Sequence, residues 1–220
     1  MTDRRDARLA AGAGVLFVAV MVLAPIFAPP HPGNDATTAE IARHFAEHRE
    51  RITAEIYVVA LAMAPALVFL VAVWHILREA EGAQAFLSHL ALVAGTVTLA
   101  VNLSASAFHL LLTVELAEPT SLGTVELLFD LGNTALAFLT VPLMVLVAAV
   151  SLSALRTGVL PRWVSAPGFV VAALQLLASP AMFVRDGAFA PNGPVAVAAI
   201  VALLVWALAL CVAIIRRTRA

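Results

Sequence analysis

Six long apolar runs constrain this chain more than any other feature. They cover about 9–28, 52–77, 85–114, 122–155, 160–184 and 194–215. A helix rises about 1.5 Å per residue, so about 20 apolar residues cross the ~30 Å hydrocarbon core of a bilayer. All six runs reach that length. The expected fold is therefore all-α: a polytopic membrane helix bundle, one domain over 1–220, with six transmembrane helices and one extracytoplasmic amphipathic helix. The third and fourth runs exceed the need and are expected to tilt or protrude.

Composition excludes the alternatives. Hydrophobic residues make up 62% of the chain and charged ones 12%, against about 45–50% and about 25% in soluble domains. A soluble enzyme, a disordered chain and a disulfide scaffold do not fit these values. Cys211 is the single cysteine, which rules out an intrachain disulfide and Cys-rich metal sites. A net charge of −1 offers no basic surface for nucleic acid.

Arg4, Arg5 and Arg8 precede the first run, so a cleaved signal peptide competes with a retained helix. The run exceeds the usual 7–15 residues of a signal core, which favours retention. All 13 basic residues are Arg, a bias that fits a high-GC bacterial genome. With both ends inside, arginines 4, 5, 8, 78, 156, 162, 216, 217 and 219 are cytoplasmic, and 43, 49, 51 and 185 lie opposite. The positive-inside rule then predicts a multi-pass membrane protein with cytoplasmic termini.

The connections carry turn chemistry. Arg156-Thr157-Gly158 reads as a basic last turn with a glycine cap, followed by Trp163 as an interfacial anchor. A tight hairpin is expected at Glu118–Ser121, and a turn-rich loop at 186–194. No internal repeat is evident, which counts against a repeat-built transporter. Between Pro32 and Ile52 the chain is polar, and Thr37-Thr38-Ala39-Glu40 has the form of a capping box. Ile41, Phe45, His48 and Ile52 fall on one helical stripe. This predicts an amphipathic helix over about 37–51 at the outer face. No Gly or Pro intervenes before Pro65, so this helix and the second span could form one long helix.

Ionisable groups within spans are costly, and function is their default explanation. Three polar stripes stand out: Thr98, Asn102, His109 and Thr113, with Ser106 beside them; Glu126, Asp130, Asn133 and Thr140; and His44, His48, Arg51 and Glu55. All are densest toward the outer side. Together they predict a ligand-binding polar pocket open outward, formed by His48, Arg51, Glu55, Asn102, His109, Glu126, Asp130 and Asn133. In this reading His48, Arg51 and Glu55 hold the outer helix against Asp130 and His109. The plainer reading makes Asn102, Thr98 and Ser106 interhelical packing residues and places Glu126 in water near a helix start. His48 then simply packs under the outer helix.

His44 and His48 are spaced i, i+4 and, with His109, are the candidate metal ligands. The pattern lacks the Glu of a zincin helix, and further ligands would have to come from Glu55 or Asp130. His75 and His89 near the inner side, paired with His48 and His109, would permit a two-haem arrangement. Snorkelling interfacial histidines explain them more simply. There is no GxSxG elbow, HExxH helix or phosphate-cradling glycine loop. No cofactor is expected.

AEIARHFAEHRERI at Ala39–Ile52, FDLGN at Phe129–Asn133, LRTGVLPRW at Leu155–Trp163 and DGAFAP at Asp186–Pro191 resemble segments of uncharacterised six-helix integral membrane proteins of high-GC bacteria. The resemblance covers most of the chain. It implies architecture and a bacterial inner membrane, and no activity.

The expected partners are the lipid bilayer and either a small ligand or another membrane protein. The leading expectation is a non-enzymatic binding protein, accessory or sensory. The alternatives are a membrane enzyme with metal or haem at the His/Asp cluster, and a small proton- or cation-coupled transporter.

Overall fold

The computed structural model describes residues 4–30, 32, 36–115, 121–184, 187–191 and 193–217. Eight α-helices account for most of them, and no strand occurs among the described residues. They are α1 (Arg4–Phe27), α2 (Thr38–Glu47), α3 (Arg49–Glu81), α4 (Phe86–Glu115), α5 (Leu122–Phe138), α6 (Thr140–Thr157), α7 (Arg162–Ala178) and α8 (Pro194–Arg217). Short 3₁₀ turns cover Gly82–Gln84 and Ser179–Met182.

Six helical stretches are long and apolar enough to cross a membrane, with α5 and α6 forming one of them. They pack in sequence around a ring: α1 on α3, α3 on α4, α4 on α6, α6 on α7, α7 on α8, and α8 back on α1. The centre is built from small and aliphatic side chains, among them Ala11, Val73, Leu77, Ala91, Val150, Val164, Leu210 and Cys211. Leu16, Val93, Val170, Val201 and Val205 are exposed on the outside of the ring. An apolar exterior of this extent belongs in lipid, and the chain is a multi-pass membrane protein.

The fourth span is not one regular helix. Pro142 has no N–H for the Phe138 carbonyl, and its ring crowds the preceding turn. The helix is accordingly interrupted for one residue at Leu139, whose N–H turns to the Leu136 carbonyl at 3.2 Å. At the other end of this span Gly158 takes φ +68° and donates to the Ala154 carbonyl at 2.9 Å, closing α6 beside Arg156 as the sequence predicts. Ser121 caps α5, its side chain accepting from the Thr124 N–H at 3.3 Å. The rest of the expected 118–121 hairpin lies outside the described residues, as do Arg185, Asp186 and Asn192 of the 186–194 loop. The described part of that loop makes two successive turns, Ala190 N–H to Gly187 at 3.2 Å and Gly193 N–H to Ala190 at 2.8 Å.

The expected amphipathic helix is α2, and its N-terminus is the predicted capping box. Thr37 N–H donates to Glu40 Oε2 at 2.8 Å, while Glu40 N–H donates to Thr37 Oγ1 at 3.3 Å. α2 and the second span are two helices, separated at His48, whose backbone (φ −110°, ψ 16°) leaves the helical region. Packing supplies the reason. Ile41 and Phe45 bury against Leu112, Val125 and Phe129, which lie on α4 and α5, whereas α3 follows α1 and α4 across the ring. One straight helix cannot satisfy both directions.

Candidate functional site

The side of the bundle that carries α2 holds a second apolar cluster: Ile41, Phe45, Ile52, Leu112, Val125 and Phe129. Below it lies a cavity of about 140 Å³ lined by Phe45, Ile52, Glu55, Ile56, Val59, Asn102, Ser106, His109 and Leu136. Four helices contribute: α2 supplies the aromatic lid, α3 the carboxylate, α4 the amide, hydroxyl and imidazole, and α5 an aliphatic wall. On α4, Asn102, Ser106 and His109 recur at i, i+4 and i+7, which places them on one face.

His109 is 6% exposed, a buried imidazole rather than a surface one. Its ring stacks on Phe45 at 6.4 Å and 25°, and Phe129 lies 6.5 Å away on the other element. The approach of α5 depends on Gly132: a Cβ there would sit 2.5 Å from His109 Nε2. Asn102 Oδ1 is buried in the cavity wall and accepts no hydrogen bond from the described residues. Just above, Thr53 Oγ1 donates to Thr113 Oγ1 at 3.2 Å and ties α3 to α4.

Of the eight residues expected to form one pocket, the cavity gathers Glu55, Asn102 and His109. His48 and Arg51 line a separate shallow groove on the outside of the helix break, together with Ala46, Glu47, Arg49 and Glu50. Arg51 and Glu126 are exposed, and Asp130 and Asn133 are half-buried on α5; none of the four lines the cavity. Ile41 and Phe45 seat α2 in an apolar cluster that Ile52, at the start of α3, joins. Buried hydrocarbon of this kind contributes about 25 cal/mol per Å², without the desolvation penalty that charged pairs carry.

The metal candidates do not converge either. His44 and His48 have ring centroids 4.7 Å apart, but His48 Nδ1 is 3.0 Å from the His44 carbonyl. A carbonyl only accepts, so that nitrogen carries the proton. Among the described residues, no three His, Cys, Asp or Glu side chains are grouped as a metal-ion ligand set. On the opposite side, His75 pairs with Glu79 at 3.2 Å, and His89 Nδ1 bonds the Ala85 carbonyl.

Two polar residues in the spans donate to backbone carbonyls. Thr98 donates to the Ala94 carbonyl of its own helix at 2.9 Å and, among the described residues, makes no bond to another helix. Gln175, an isolated amide in the fifth span, is 2% exposed and donates to the Ala199 carbonyl of α8 at 3.1 Å. Its lone position in an apolar run is the only sequence signal it carries. Ser106 stood beside the predicted stripe and belongs to the cavity, while Phe45 and Leu136 emerge only from packing.

No family model, curated protein or solved structure matches the chain.

Proposed function

We propose that this protein is a non-enzymatic binding component of the bacterial cytoplasmic membrane, accessory or sensory. Its pocket beneath α2 takes a small ligand that donates hydrogen bonds. The observation that carries the reading is the pairing, in one cavity wall, of the buried Asn102 Oδ1 without a donor and the Glu55 carboxylate. A buried acceptor left unmet costs about 1–3 kcal/mol, and a ligand N–H recovers that. A volume near 140 Å³ is far below the several hundred Å³ of drug-sized sites, so the ligand has few heavy atoms. The pocket side faces outward in this reading. Arg78, Arg156, Arg162, Arg216 and Arg217 lie on the side away from α2, against Arg43, Arg49 and Arg51 on the α2 side.

The test is thermal unfolding of the purified protein in nanodiscs with ammonium and methylammonium as probes. Binding at about 100 times Kd stabilises by about 2.7 kcal/mol, and Glu55→Gln and Asn102→Leu should abolish the shift. If neither probe shifts the wild type, or both variants respond like it, the reading fails. A second reading, cation-coupled transport, draws on Glu55 lying within a spanning helix. Probe uptake into proteoliposomes that requires Glu55 would favour it over binding alone.

A further inference from the structure

The side away from α2 carries a larger concavity. A groove of about 1070 Å³ opens between the α3–α4 hairpin and the end of α6, lined in part by Arg78, Glu81, Phe86, His89, Ser153 and Arg156. Two of these hold buried polar atoms with no hydrogen-bond partner among the described residues. Ser153 is 0% exposed and its Oγ is unmatched; Glu81 uses Oε2 to accept the Ser88 N–H at 3.1 Å, leaving Oε1 buried and unmatched. Native proteins seldom leave such atoms unmet, so two at one groove point to a missing ligand with both donors and acceptors.

The charges say which. Arg78 and Arg156 bring two permanent cations, the groups that recognise phosphate oxygens. Arg78 is held in place by Trp74, its Cζ 5.3 Å from the ring centroid. Glu81 opposes an anion but matches an ammonium. A single group satisfies all of these: phosphate at the arginines and Ser153 Oγ, and N–H donors at Glu81 Oε1.

We propose that this groove binds the phosphoethanolamine headgroup of a membrane phospholipid. The location argues for a lipid over a soluble ester. The groove sits where three spans end, Phe86 at its rim is 72% exposed, and on the same side Arg216 stacks over Trp163 at 5.9 Å, as interfacial anchors do.

The experiment reconstitutes the full chain into phosphatidylcholine nanodiscs containing equal minor amounts of phosphatidylethanolamine and phosphatidylglycerol. Lipid retained after transfer to detergent is then read by native mass spectrometry. Wild type should retain phosphatidylethanolamine about tenfold over either other lipid, the margin expected of hydrogen bonds to charged groups. Arg78→Gln with Arg156→Gln should cut retention roughly thirtyfold, from about 1 kcal/mol for each arginine near the headgroups. Glu81→Gln should erase the preference over phosphatidylglycerol. Glu81 also caps α4, so Ser153→Ala, which removes only an unmatched hydroxyl, is the control for folding. It should lower retention while leaving thermal unfolding unchanged. Equal retention of the three lipids, or unaltered retention in the arginine and Ser153→Ala variants, overturns the proposal. Equal protection by free phosphoethanolamine in detergent overturns its assignment to a lipid.

Discussion

Gly132 on α5 brings its bare backbone against the His109 imidazole on α4, so closely that a Cβ would lie 2.5 Å from Nε2. His109 is in turn stacked on Phe45. The lid helix, the cavity and the fourth span therefore meet at one ring. Gly132→Ala should push that ring toward the cavity and destabilise by about 1–3 kcal/mol, as overpacking does. In a double-mutant cycle with His109→Ala the two losses should be less than additive. Chemical denaturation in detergent measures this, and strict additivity would mean that the ring does not feel residue 132.

The α2 cap is predicted to be acid-sensitive. Hydrogen bonds from the Thr37 backbone and side chain, aided by Arg43, lower the Glu40 pKa below its ordinary value. A lowered folded-state pKa contributes stability that is present above the unfolded pKa and lost as pH falls through the folded one. Amide exchange in 38–47, corrected for its intrinsic pH dependence, should therefore gain protection above the ordinary glutamate range and lose it below. Glu40→Gln should flatten that dependence. A wild-type profile as flat as the variant's would remove the capping box from the account.

On α7, a Cβ at Gly168 would lie 1.9 Å from Ser151 Oγ and 3.2 Å from Ser151 Cβ on α6. Small residues let membrane helices approach this closely. Gly168→Ala should cost about 1–3 kcal/mol, and Ser151→Ala should restore much of it by removing the nearer atom. Failure of that rescue would place the strain elsewhere, with Trp206 Nε1, 3.0 Å from the same point, the next contact to vary.

Gln175 ties α7 to α8 through the Ala199 carbonyl. Interhelical bonds in membranes are worth about 0.6–2 kcal/mol, so Gln175→Leu should lose an amount in that range. Steric trapping or denaturant unfolding gives the number. A stabilised variant would show that this amide is not there for packing.

These residues also show what the sequence makes legible. The apolar runs read directly as spans because length and composition decide them without tertiary information. The capping box reads directly because all its partners lie within four residues. The break at His48 does not, since the apolar stripe Ile41, Phe45, Ile52 keeps helical spacing across it and no Gly or Pro marks it. Only the competing docking directions of α2 and α3 produce it. Glu55, Asn102 and His109 were visible as polar groups in apolar runs. Which face each helix presents was not, and that separates them from Asp130 and Arg51.

The most direct test of the central claim reads the cavity itself. With ¹⁵N-labelled histidine and asparagine side chains in nanodiscs, methylammonium should shift the His109 imidazole and Asn102 amide signals together and saturably. In Glu55→Gln both shifts should vanish while the protein stays folded. Signals that do not move in the wild type, or that move equally without the Glu55 carboxylate, would contradict a ligand pocket beneath α2.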